Sequence, residues 1–86
     1  MSQTVNDRIR HLLSTHAHFK HRMSPDVRND DSLLESGVVD SFGLIELVSE
    51  IETVFGIKIN PDDLTRDNFS TIGGIERLIL AKPGAG

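Results

Sequence analysis

The sequence contains no cysteine, so it offers no disulfide framework, no thiolate ligand for a metal and no catalytic thiol of its own. It has nothing close to the roughly 18 consecutive apolar residues that a membrane-spanning helix needs. Its first residues, MSQTVNDRIRHLL, also lack the basic-then-apolar order of a secretory signal. A soluble cytoplasmic protein is the expectation. The hydrophobic share, 37% of 86 residues, is low for a globular chain yet above the disordered range. A chain this short buries only about 60 to 65% of the surface its unfolded form exposes, which leaves little material for an enclosed active-site cleft. One domain over residues 1–86 with a single core is expected, and most enzyme classes fit it poorly.

Basic residues are scarce in the larger part of the chain. The net charge of −4 divides into +3 over residues 1–28 and −7 over residues 29–86. Nucleic-acid binding requires concentrated positive charge to displace counterions from phosphates, and the acidic segment repels them. A basic protein partner suits this surface better.

Several chemical signatures are missing as well. The hydrolase elbow GxSxG fails around Ser41 because Val39 stands two residues before it, although Gly43 stands two after. No spacing sets His11, His16, His18 or His21 against Ser41 as a base. His18 and His21 lie three apart and could share a helix face, but structural metal sites usually carry paired ligand motifs. The acidic stretch NDDSLLESGVVD fails as a calcium loop, since leucines fall where oxygen ligands belong.

What is present is helical periodicity. Val5, Ile9, Leu12, Leu13 and His16 trace one apolar stripe, and Thr4 with Asp7 resembles a capping box, so a first helix is expected over 4–18. From Phe19 to Asp40 the period fails, and Pro25, Gly37 and RNDDS predict a long connection, a kind of loop that is often functional. The period returns strongly over 41–55, with Leu44, Leu47, Val48, Ile51, Val54 and Phe55 inward and Gly56 as its C-cap. Asn60, Pro61, Asp62 and Asp63 predict a short helix over about 61–66. Ser70 or Thr71 then caps a last helix carrying Ile72, Ile75, Leu78 and Ile79 on one face, weakened locally by Gly73 and Gly74. The expected fold is all-α: a small four-helix bundle, three main helices plus one short helix, with a long first loop.

Ser41 reads first as the N-cap of the second helix. On the outer side of that helix Phe42, Glu46, Ser49 and Thr53 recur at helical spacing with Glu50 beside them, so Phe42 is expected to be exposed among acids. Such a face is either ordinary solvated surface or a docking surface, with an apolar anchor for affinity and carboxylates that steer a basic partner.

The stretch LLESGVVDSFGLIELVSEIETVFGIKI, residues 33–59, together with NFSTIGGIERLI, resembles the acyl carrier and peptidyl carrier protein superfamily. The resemblance implies that Ser41 is esterified with 4'-phosphopantetheine from coenzyme A by a separate phosphopantetheinyl transferase. The arm's terminal thiol would hold an acyl or aminoacyl group as a thioester, so the protein would be a non-catalytic handle. It also implies that Asp40, Phe42, Ile45, Glu46 and Glu50 contact partners. These partners would be an adenylating amino-acid or acyl ligase that loads the thiol and a downstream acyl or aminoacyl transferase, with the carrier a monomer. Fatty-acid carriers usually place leucine and then an acid after the serine, where this chain has Phe42 and Gly43. The opening VDSFG is closer to the LDSMG type of D-alanyl carriers, which favours a freestanding aminoacyl or specialised acyl carrier. A fatty-acid or polyketide carrier, and an unmodified helical interaction domain, remain the alternatives.

Overall fold

The computed structural model describes residues 4–64 and 66–82, and every regular element within them is helical. α1 spans Val5–Thr15, α2 Ser41–Phe55 and α3 Arg66–Phe69; α4 spans Ile72–Leu80, and a 3-10 turn occupies Pro61–Asp63. The capping box at α1 forms as expected. Thr4 Oγ1 accepts the Asp7 N–H at 3.1 Å, and the Asp7 carboxylate accepts the Thr4 N–H at 3.4 Å. The helix is shorter than the expected 4–18. His16 takes an extended backbone, φ −68° and ψ 133°, and its Nδ1 accepts the His18 N–H at 3.1 Å. This break turns Phe19 inward, where it is fully buried.

α2 occupies the expected 41–55 range and ends at Gly56, whose left-handed φ of 63° suits a residue without Cβ. Leu47, Ile51 and Phe55 are buried, while Leu44 and Val48 pack half-buried beside them. Val54, expected in the same stripe, is exposed. At about 100° per residue Val54 falls at the edge of the stripe, on the side of Ile51 away from Val48, while Phe55 falls within it. The Arg8 guanidinium lies 4.4 Å from the centre of the Phe55 ring and donates to the Val54 carbonyl at 2.8 Å, joining α1 to the last turn of α2.

The single short helix expected over 61–66 is instead the Pro61–Asp63 turn followed by α3, with residue 65 outside the described residues. The start signals act as read, and the Asn60 N–H donates to the Asp63 carboxylate at 2.9 Å. Asn68 Nδ2 then donates to the Asp63 carbonyl at 2.8 Å, claiming the acceptor that a continuing helix would use. At α4 the cap is Thr71 rather than Ser70, its Oγ1 accepting the Gly74 N–H at 2.9 Å. Ile72, Ile75, Leu78 and Ile79 are all buried, and α4 lies against α1 and α3. Gly73 is there for close approach: its N–H donates to the Asn29 carbonyl at 2.9 Å, and a Cβ would come within 3.2 Å of that oxygen.

The connection between α1 and α2 is part of the core. Phe19, Leu33, Val38 and Val39 are buried in it, each worth about 1.5 to 3 kcal/mol by burial alone. The Leu33 N–H donates to the Ser70 carbonyl at 2.7 Å, and the Val39 N–H returns to the Leu33 carbonyl at 3.0 Å. Gly37, at φ 83°, makes the turn between these two anchors. The chain is therefore held firmly on the core side just before Asp40 and Ser41. Among the described residues no helix is long and apolar enough to cross a membrane.

Candidate functional site

The start of α2 is capped by Asp40, not by Ser41. Asp40 has extended backbone, φ −103° and ψ −175°, and its Oδ1 accepts the Gly43 N–H at 2.6 Å while its carbonyl accepts the Leu44 N–H at 2.8 Å. Aspartate and serine are nearly equal as caps, so spacing alone could not choose between neighbours. The backbone chooses, because the helix begins one residue earlier than a Ser41 cap requires. The consequence is chemical: Ser41 stands at the first helical position, exposed, and among the described residues no hydrogen bond engages its hydroxyl.

Two basic side chains flank the cap. His18 Nε2 lies 3.5 Å from Asp40 Oδ1, and Arg22 donates to Asp40 Oδ2 at 3.3 Å. The Asp40 carboxyl is held below its ordinary pKa chiefly by the Gly43 N–H, with the His18 and Arg22 contacts adding to the effect and partial desolvation opposing it. His18 is set in place by Phe19, whose ring meets the imidazole edge-on at 5.2 Å. Gly43 makes this packing possible, since a Cβ there would meet Phe19 Cε1 and Asp40 Oδ1 at 3.0 Å and His18 Cδ2 at 3.1 Å. The sequence offered His18 only as a possible metal ligand and did not mark Arg22 or Gly43 as site residues. The separation of His18 and Arg22 from Asp40, 22 and 18 positions, carried no periodic signal.

The outer face of α2 is arranged as its spacing predicts. Phe42 is 80% exposed and Ile45 71%, Glu46 is exposed, and Glu50 is half-buried. Beside them Leu44, Ile45, Val48 and Leu64 line an apolar depression of about 170 Å³, to which the helical spacing gave no clue for Leu64. Leu64 reaches it from the break after the 3-10 turn and is 52% exposed. Asp40, Ser41, Phe42, Ile45, Glu46 and Glu50 thus lie along the first three turns of one helix, the first at its cap.

His16, Glu46 and Glu50 gather ligand-capable atoms within 4.8 Å of one another. His16 Nδ1 accepts the His18 N–H, so a neutral imidazole carries its proton on Nε2, which faces Glu50 at 3.6 Å. That nitrogen offers Glu50 a proton rather than offering a cation a lone pair. His18, one of the two histidines weighed as metal ligands, faces Asp40 instead.

An unengaged serine at the open end of a helix, with no base hydrogen-bonded to it among the described residues, fits a hydroxyl that another enzyme modifies. The first-turn N–H groups of α2 and the nearby Arg22 guanidinium favour an anion at this place. A small helical domain with such a site falls in the class of carrier proteins. Residues 20–79 match the phosphopantetheine attachment site family, and the chain belongs to that family, whose cofactor is covalent 4'-phosphopantetheine. When bound, the group supplies the thiol that the sequence lacks. Over 53 residues the chain is 42% identical to the D-alanyl carrier protein of Streptococcus equi subsp. zooepidemicus, covering 57% of this chain and 67% of the relative. The D-alanyl carrier protein of Streptococcus pyogenes serotype M5 is 38% identical over the same length and coverage. The fold matches a chain in the crystal structure of the Bradyrhizobium japonicum glycine:[carrier protein] ligase complexed with glycylated carrier protein, at a TM-score of 0.63 and 22% identity. That match covers 86% of this chain and 92% of the other.

Proposed function

We propose that Ser41 is the residue that carries 4'-phosphopantetheine, and that the chain is a freestanding carrier of an aminoacyl or specialised acyl group. The observation that carries this reading is the exposed, unengaged Ser41 hydroxyl one residue beyond the Asp40 cap, inside the matched segment. In the modification Ser41 Oγ attacks the β-phosphorus of coenzyme A, the phosphoanhydride bond breaks, adenosine 3',5'-bisphosphate leaves, and the hydroxyl proton passes to a base of the transferase. An adenylating ligase then loads the thiol, releasing AMP, and a downstream transferase takes the cargo. The D-alanyl relatives and the glycylated neighbour support an amino acid as that cargo. We read the fold as a four-helix carrier bundle in which the Pro61–Asp63 turn and α3 together stand for the short helix, and the carrier as a monomer. Dependence on coenzyme A and on an adenylating enzyme suits the cytoplasm.

Asp40, Phe42, Ile45, Glu46 and Glu50 form the surface that partners grip. The test of the whole reading is intact mass after incubating the protein with coenzyme A and a broad-specificity phosphopantetheinyl transferase. One added phosphopantetheine on the wild type and none on Ser41→Ala is the expected result. No addition, or addition that survives Ser41→Ala, returns the chain to an unmodified interaction domain.

A further inference from the structure

The groups around Asp40 are more numerous than a helix cap needs. The Gly43 N–H alone satisfies the capping role, yet Asp40 also faces His18 at 3.5 Å and Arg22 at 3.3 Å, from a turn that the break after α1 and the buried Phe19 bring to this place. Room for that turn is reserved by Gly43, the position where any side chain would strike Phe19, His18 and Asp40. When His18 is protonated, two positive charges serve one carboxylate. All three groups remain partly open to solvent, with side-chain exposures of 37% for His18, 52% for Arg22 and 44% for Asp40. Ser41 is the next residue.

A phosphodiester on Ser41 would place a second permanent negative charge one residue from Asp40. We propose that His18 and Arg22 are positioning residues for the phosphopantetheine arm, holding Asp40 as cap and sharing their positive charge with the phosphodiester once it is attached. This rests on the reading of Ser41 as the attachment point. Arg22 contributes a fixed charge, and His18 one that is present only when its imidazole is protonated. The groups facing His18 are Asp40 at the cap of α2, Arg22 on its own turn, and His16, whose ring accepts the His18 N–H and in turn faces Glu46 and Glu50 on α2. All of these are present with and without the arm. The change in His18 on modification therefore isolates the arm's charge.

The experiment is an NMR titration of the four histidines and of the phosphorus, on protein whose modification at Ser41 has been checked by intact mass. On going from unmodified to modified protein, the His18 pKa is expected to rise by about half a unit or more, as an added neighbouring anion dictates. His11 and His21 should move less. The phosphodiester does not titrate between about pH 5 and 8 itself, so its phosphorus shift should follow His18 in the wild type and lose that inflection in His18→Gln. Arg22→Gln should displace the phosphorus shift and raise the His18 pKa further in both states. These substitutions are at exposed positions, and circular dichroism checks that helicity is kept. Addition at Ser41 with an unchanged His18 pKa, or a phosphorus shift flat across that range, overturns this proposal and leaves the carrier reading intact. Failure of Ser41 to be modified overturns both.

Discussion

At the scale of single residues, Asp40 and Ser41 divide a task that their adjacency in the sequence hides. Asp40 closes the helix, and the Ser41 hydroxyl is left open. Asp40→Asn keeps a side chain able to cap while removing the charge that meets His18 and Arg22, whereas Asp40→Ala removes both. The expected order of thermal midpoints at neutral pH is wild type, then Asn, then Ala, read by circular dichroism. Acid narrows the gap between the wild type and Asn. The folded Asp40 pKa lies below the ordinary 3.8, so its contribution is fully present above that value and is lost as pH falls through the folded pKa. Asp63 behaves alike, held low mainly by Lys82 and then by the Asn60 N–H, so it supplies a remaining acid dependence in every variant. Stability of Asp40→Asn should therefore fall less steeply than that of the wild type below about pH 4. An identical slope would mean that the charge of Asp40 does not contribute.

At the scale of elements, the turn from His16 to Met23 matters more than its irregularity suggests. Phe19 is fully buried, with its ring against both His16 and His18, at 5.0 and 5.2 Å. Phe19→Ala is expected to cost about 3 to 5 kcal/mol in a urea titration, and Phe19→Leu, which keeps more of the apolar volume, distinctly less. A loss below about 1 kcal/mol would show that this turn is not anchored in the core. The difference between α2 and this turn explains what could be read from the sequence. α2 was legible over its whole length because its stripe repeats at the helical period and Gly56 punctuates it. The opposite exposure of Phe42 followed from the same geometry. The inward turns of Phe19, Leu33, Val38 and Val39 follow no period, since each is fixed by a long-range contact such as that of Leu33 with Ser70. The cap was misplaced by one residue, and the short helix was read as continuous, for a related reason. Start signals are local, whereas the Asn68 bond that ends the Pro61–Asp63 turn comes from beyond it.

At the scale of the whole molecule, the proposed docking along α2 would draw on both charge and exposed apolar surface. The segment from residue 29 onward carries −7, and within it Glu46 and Glu50 flank Phe42 and Ile45, which are 80% and 71% exposed. An apolar residue this exposed does little for the fold, so Phe42→Ala should leave helicity and thermal midpoint nearly unchanged. If Phe42 anchors a loading enzyme, the same change should weaken the complex by about 1 to 3 kcal/mol, chiefly through faster dissociation. Glu46→Lys tests a different property. Long-range attraction acts on encounter, so the reversed charge should slow association several-fold at low salt and flatten its dependence on ionic strength, with dissociation little altered. Stopped-flow association of modified carrier with an adenylating ligase at two salt concentrations measures both effects. If Phe42→Ala binds as the wild type does and the Glu46→Lys rate keeps the same salt dependence, α2 is not the docking face.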